Sequence, residues 1–199
     1  YKRKEFVVNE LKNIKENSKL LDAGCGSQFF KQFCNHLDYY SQDFGEYIGD
    51  EKKGFNSHSD YTYGKLDYKS DIWAIPENES TFDYILCTEV FEHIPYPIET
   101  VKEFSRLLKP GGKLILTAPS NSLRHFDPYY FYSGFSDRWY NEILKENNFK
   151  IISIEPVGDY YRWMSTEMIR TILSHGFISK IMLLPAFIYF YFSKKTETS

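Results

Sequence analysis

A chain of 199 residues holds one compact domain and a modest addition, which excludes a two-domain dehydrogenase. Hydrophobic residues make up 42% and charged residues 26%, with 8 prolines, values of an ordinary globular chain that rule out collagen-like or wholly disordered structure. Its 24 basic and 27 acidic residues leave a formal charge of -3, which supplies no broad electrostatic footprint for nucleic acid, so no nucleic-acid partner is expected.

Phe6, Val7, Leu11 and Ile14 fall at helical spacing, which predicts a helix over Glu5 to Ile14. Lys19-Leu20-Leu21-Asp22-Ala23-Gly24 then reads as a short buried strand entering a glycine turn. Tyr39 to Asp43 is a second strand, and Lys65 to Tyr68 a weaker third, followed by Ser70-Asp71-Ile72. Phe82 to Cys87 has the bulk of a central strand covered on both faces. Ile98, Val101, Phe104, Leu107 and Leu108 share one helical stripe, which Lys109-Pro110-Gly111-Gly112 ends before a strand over Lys113 to Ala118. Ser136 suits the cap of a helix carrying Trp139, Tyr140, Ile143 and Leu144, and Phe149 to Ile154 supplies a sixth strand. This alternation predicts an α/β fold, a doubly wound, mostly parallel sheet with helices on both faces.

From Thr166 to Phe192 the chain becomes mainly apolar and aromatic, interrupted by Glu167, Arg170, His175 and Lys180. Its unbroken apolar stretch, Ile181 to Phe192, falls short of the ~20 residues that cross a bilayer, and Pro185 breaks it. Two readings remain for 166–192: a helical cover on the domain's own sheet, or a peripheral contact with a membrane or a protein. The domain is expected over 1–160, with a helical extension over 161–199. Cys25, Cys34 and Cys87 are odd in number and lack CxxC spacing, as reduced thiols do. With no signal-like segment at its start, although that start is Tyr1 rather than Met, the chain reads as cytoplasmic, with membrane association through the tail.

In an open α/β sheet a ligand binds beyond the carboxyl ends of the strands, so the residues just after each strand carry the chemistry. Asp22-Ala23-Gly24-Cys25-Gly26-Ser27 lets the chain approach a ligand without a Cβ in the way, and a following helix would present N–H groups to a carboxylate or phosphate. Without a ligand the same residues make a tight strand-to-helix turn. Asp43 stands 19 residues after Gly24, near the ~20-residue spacing at which an acid accepts hydrogen bonds from ribose hydroxyls. Phe29 occupies the place of the third glycine of the NAD fingerprint and argues against NAD. Asp71-Ile72 offers an adenine one carboxylate and one apolar face, or else a cap beside a core residue.

Together, Leu20 to Gly26, Asp43, Asp71-Ile72, Thr88-Glu89-Val90-Phe91-Glu92-His93 and Leu108 to Gly112 resemble class I S-adenosylmethionine-dependent methyltransferases across residues 5 to 157. The resemblance implies the Rossmann-like methyltransferase fold with S-adenosylmethionine as cofactor. It implies that Asp22, Gly24, Cys25 and Gly26 frame the methionine portion, Asp43 holds the ribose, Asp71 and Ile72 flank the adenine, and Thr88 and Glu89 line the pocket. Two departures stand out. Gln28 replaces a glycine common in the family, and the seventh, antiparallel strand is missing unless Ile188 to Phe192 or residues after Ser199 supply it.

The acceptor side is expected in Asn121 to Tyr132, where Arg124, His125, Tyr129, Tyr130 and Tyr132 suit a sugar or ring. The loop also resembles a bacterial subset of the family associated with cell-surface glycan pathways, which implies a sugar-like or lipid-linked acceptor; the expected reaction is methylation, on oxygen, of a small-molecule or glycan-type acceptor. An alcohol acceptor must lose its proton, so His125, then His93, are the candidate bases, with Glu89 beside them. A divalent ion on Glu89, His93, His125 and Asp127 is chemically open, but no metal is expected. His36, His58 and His175 are read as surface or helix residues. The competing class is a non-catalytic methyltransferase-like binding or scaffold subunit.

Overall fold

The computed structural model describes residues 2–47, 62–174 and 176–193, so His58 and His175 lie outside the described residues. The chain divides into two compact units, Arg3–Ser153 and Ile154–Ser199. In chain order the first carries α1 (Lys2–Lys12), β1 (Lys19–Ala23), β2 (Asp38–Asp43), β3 (Tyr68–Lys69), β4 (Phe82–Thr88), α2 (Pro97–Leu107), β5 (Leu108–Thr117) and α3 (Asp137–Glu146), with short 3-10 turns at Phe29–Phe33 and Phe91–His93. The second carries α4 (Tyr160–Ser174) and α5 (Phe177–Phe192).

The five strands form one parallel sheet in the order β3-β2-β1-β4-β5. Successive strand residues face opposite ways. Leu21, Ile85 and Leu114 therefore join Val101, Phe104 and Leu107 of α2, whereas Leu20, Leu86 and Ile115 join Val7 and Leu11 of α1. Leu20, Leu21, Ile85 and Leu86 are fully buried. At ~1.5 to 3 kcal/mol for each buried aliphatic side chain, a one-residue slip would cost apolar burial on both faces at once. Pro97 opens α2 where no N–H is needed, and the Ser136 hydroxyl caps α3 by accepting from Trp139 N at 3.2 Å. Cys25, Cys34 and Cys87 are buried free thiols.

Four expectations need correction. Phe149 to Ile154 pairs with no strand, and Ile152 is 78% exposed, so β5 ends the ladder on that side among the described residues. Ile188 to Phe192, one of the places offered for a seventh strand, forms the last turns of α5, where its backbone groups are satisfied within the helix. The third strand comes later and shorter than Lys65 to Tyr68, and Lys109 to Gly112 is absorbed into β5 at the cost of a register slip opposite Phe82 and Tyr84. Finally, the glycine turn leads into a five-residue 3-10 turn rather than an α-helix, so it offers no helix terminus to an anion.

In the second unit α4 and α5 pair through Phe190, whose ring lies 6.1 Å from Tyr160 and 5.9 Å from Tyr161, while Arg162 stacks over Tyr191 at 5.1 Å. Among the described residues no helix is long and apolar enough to cross a membrane.

Candidate functional site

Because all five strands run the same way, their carboxyl ends share one edge, and the order reverses between β1 and β4. Gly24 sits at that switch point with φ 70. Its N–H donates to the Gln42 carbonyl at 2.9 Å, and a Cβ there would lie 2.5 Å from Val90 Cγ2. Gly26, with φ 51, donates its N–H to Asp43 Oδ2 at 2.9 Å, and Gly45 N donates to the other carboxylate oxygen at 3.1 Å. The buried Gln42 reaches onward from Nε2 to the Ser70 carbonyl at 2.7 Å. These bonds fasten the ends of β1, β2 and β3 into one ledge. Gln28, at φ 58, holds the left-handed conformation that explains the family's glycine at this place. Its side chain compensates by donating to the Lys65 carbonyl at 2.9 Å and accepting from Lys31 Nζ at 3.1 Å.

The ledge concentrates carboxyl groups. Asp22 is 2% exposed, and burial pushes it up to about 7, against the Tyr39 hydroxyl that donates to it at 2.7 Å; the nearby Asp43 adds to the rise. Burial also raises Asp43, opposed by the N–H groups of Gly26, Gly45 and Phe44. Thr88 ends β4 opposite Thr117, and Glu89 follows with its carboxylate held by the Thr117 hydroxyl at 3.0 Å and by Arg3 of α1. The structure therefore gathers Asp22, Gly24, Cys25, Gly26, Asp43, Thr88 and Glu89 at one edge. Asp71 is exposed directly after Ser70, whose N–H bonds the Asp43 carbonyl at 3.2 Å, whereas Ile72 is buried in the core.

After β5 the chain builds a different surface, from side chains. His93 donates from Nδ1 to the Tyr129 carbonyl at 2.6 Å, which leaves the lone pair of the neutral ring on Nε2, 3.6 Å from Glu92 Oε1. Burial pushes His93 down to about 4 and Glu92 up to about 8, so at neutral pH both are mainly uncharged. Glu92 is 1% exposed, and its Oε2 has no hydrogen-bond partner. The ring of His125 meets His93 edge-on at 4.8 Å and Tyr130 at 5.3 Å, with its Nδ1 on the Leu123 carbonyl at 2.9 Å. Phe44 packs on Tyr129 at 5.0 Å and Tyr47 stacks on Phe126 at 4.6 Å, so aromatic residues following β2 meet those of the loop after β5. Arg124 is exposed and paired with Asp127 at 2.7 Å. Tyr132 turns aside, its hydroxyl on the Pro95 carbonyl at 3.1 Å and its ring on Phe135.

Sequence reading missed Glu92, Phe44, Tyr47 and Phe126. Glu92 stood in plain view one residue before His93, but nothing in the sequence signals its burial. Glu92, His93 and His125 offer ligand atoms within 4.8 Å of one another, whereas Glu89 and Asp127, weighed as ligands from the sequence, are engaged by Arg3 and Arg124. A separate depression of about 570 Å³ lies at the amino-terminal edge of the sheet, lined in part by Glu16, His36 and Asp38. No glycine turn or strand tip of the carboxyl edge reaches it.

A family model described as a methyltransferase domain matches residues 2–165. A ubiquinone biosynthesis O-methyltransferase from Coxiella burnetii is 30% identical over 110 residues, which cover 54% of this chain and 46% of that protein. The chain thus matches less than half the length of this relative. Among solved structures, a putative methyltransferase from Bacillus halodurans superposes with a TM-score of 0.58 at 18% identity, over 74% of this chain and 69% of that one. Phosphoethanolamine N-methyltransferase 2 from Haemonchus contortus, in complex with S-adenosyl-L-methionine, gives a TM-score of 0.57 at 19% identity, over 95% of this chain and 48% of that one. Such distant likenesses establish the fold.

Proposed function

The chain belongs to the methyltransferase domain family, and from that membership we propose that it is an enzyme that transfers a methyl group from S-adenosylmethionine to an oxygen of a small-molecule or glycan-type acceptor. The observation that carries this reading is the ledge at the switch point: two left-handed glycines over the buried carboxyls of Asp22 and Asp43, beside a wall with two histidines. The ledge suits the cofactor in its charge, since the buried acids favour a sulfonium cation, while Val90 fills the space beside Gly24. Three N–H groups occupy Asp43, so of the roughly four acceptor positions of a carboxylate at least one remains for a ribose hydroxyl. Asp71 would be the residue to hold an adenine, with Ile72 behind it in the core.

When bound, the cofactor supplies an already electrophilic methyl group. The protein's work is then to hold an acceptor oxygen in line, and such positioning contributes ~7 to 11 kcal/mol, against ~3 to 5 kcal/mol from a general base. Arg124, Tyr129, Tyr130 and Tyr132 belong to the acceptor side, with the Tyr132 hydroxyl engaged by the Pro95 carbonyl. Burial makes His93 a weak proton acceptor, so His125 takes the acceptor's proton at Nε2 while its Nδ1 stays on Leu123. His93 packs against that ring and orients it. Glu89, tied to Arg3 and Thr117, shapes the pocket and balances charge rather than moving a proton.

The domain is taken as 1–160 and the apolar extension as 161–199, with a membrane surface or a protein as the partner of 166–192 and the cytoplasm as the compartment. Titration calorimetry with S-adenosylmethionine tests the reading. Micromolar binding, with S-adenosylhomocysteine formed when acceptors are supplied, supports it. A folded protein that binds no S-adenosylmethionine overturns it in favour of the non-catalytic subunit, and nicotinamide binding in its place overturns it in favour of an oxidoreductase.

A further inference from the structure

A helix on a protein surface ordinarily turns charged residues outward. Helix α5 does the reverse. Leu183, Ala186, Phe187 and Phe190 are half-buried on one side, and Phe190 meets α4. On the other side Phe177, Ile178, Ile181, Met182, Tyr189 and Phe192 are exposed, Phe177 and Ile178 by 76% and 78%. At 100° per residue these six fall within about 140° of one another, a continuous apolar stripe about 24 Å long.

Two observations decide what covers this stripe. Protein interfaces carry about one hydrogen bond per 100 to 200 Å² and a polar rim that sets register, and this face offers little beyond the Tyr189 hydroxyl. A bilayer asks for no register. The charges of the segment are also mainly of one sign: Lys180 is the one charged residue of α5, and after the helix the sequence holds Lys194 and Lys195 against Glu197. A net positive segment with Lys180 on the helix and Tyr189 and Tyr191 near its end complements anionic headgroups and the aromatic belt of a membrane interface.

We propose that α5 is an interfacial anchor that lies along the surface of an anionic bilayer, its Phe177 to Phe192 stripe among the acyl chains and Lys180 at the headgroups. Sixteen residues are too short to cross a hydrocarbon core of ~30 Å, so the helix lies in the plane, ~5 to 10 Å deep. The inference does not depend on the methyl-transfer reading, because the binding it predicts requires neither cofactor nor acceptor.

Flotation of the full chain with vesicles of phosphatidylcholine and phosphatidylglycerol tests it. Binding is expected to the mixed vesicles, more weakly to phosphatidylcholine alone, and to fall as salt rises. The double variant Ile181→Glu, Met182→Glu should lower vesicle binding by about tenfold or more, because each exchange removes apolar burial and adds a charge repelled by the surface. Both residues are exposed, so circular dichroism should report an unchanged fold. In Ile178→Trp, vesicles should blue-shift the added emission and brominated acyl chains should quench it. The proposal is overturned by a folded chain that does not float, by a double variant that floats as well as the parent, or by concentration-dependent dimers that the double variant dissolves.

Discussion

The two sides of the carboxyl edge are built from different materials. On the side proposed for the cofactor the donors are backbone: Gly24, Cys25 and Gly26 donate N–H groups to Gln42 and Asp43, and each bond lies between 2.9 and 3.1 Å. On the side proposed for the acceptor the contacts are side-chain rings and carbonyls, with His93, His125, Phe126, Tyr129 and Tyr130 leaning on one another. A ledge made of main chain constrains sequence through allowed φ values and missing Cβ atoms. A wall of rings constrains little beyond size and polarity, and so can change its acceptor without disturbing the ledge.

Four substitutions, one of them paired with a second-site change, break this contrast from the largest effect downward. His125→Ala should lower turnover by ~100- to 10,000-fold while leaving the S-adenosylmethionine affinity within about twofold, read by single-turnover kinetics and calorimetry. Unchanged turnover would remove His125 from the mechanism. His93→Gln should cost less, since a ring held near 4 takes up little of the proton. Gly24→Ala should destabilise the fold by ~2 to 4 kcal/mol in denaturant titrations, combining the left-handed backbone with the clash on Val90. In that background Val90→Ala should restore part of the loss, because it removes the clash and leaves the strain; no recovery would show that Val90 is not the obstacle. Asp43→Ala should weaken S-adenosylmethionine by about 100-fold, the scale of a charge-assisted hydrogen bond lost together with the Gly26 anchor.

The same contrast explains what the sequence disclosed. β1, β4 and the glycine turn are legible because continuous apolar runs and paired glycines answer to local physics: double burial in one case, a positive φ in the other. Asp43 is legible through spacing. The acceptor side is legible as composition alone; that Phe44 and Tyr47 reach Tyr129 and Phe126 depends on how segments some 80 residues apart are folded together. Glu92 is hidden for a related reason. Its neighbours in sequence are ordinary, and only the packed structure takes its carboxyl out of water. Phe149 to Ile154 misleads in the opposite direction, with strand-like residues that find no partner ladder.

The smallest effect sharpens the comparison by pH. Glu92 ordinarily titrates near 4.5 and is pushed up to about 8, so between those values the folded protein holds a proton that the unfolded chain has lost. Its stabilisation is complete below ~4.5 and is lost as pH rises through 8, at up to ~1.4 kcal/mol per pH unit. Asp22, raised from 3.8 to about 7, acts in the same direction over its own window. His93, lowered from 6.5 to about 4, has the opposite sign, because between those values the unfolded chain holds the extra proton and stability rises with pH. From pH 4.5 to 6.5 the opposed slopes of His93 and Glu92 largely cancel. From 7 to 8 Glu92 acts alone among the three, and unfolding midpoints should fall across that unit. Glu92→Gln, which keeps the shape and carries no charge, should flatten that fall while leaving the Asp22 slope below pH 7 in place. A slope unchanged by the substitution would mean that the wall between His93 and Tyr129 admits water to the carboxyl, and that the acceptor side is wetter than the ledge beside it.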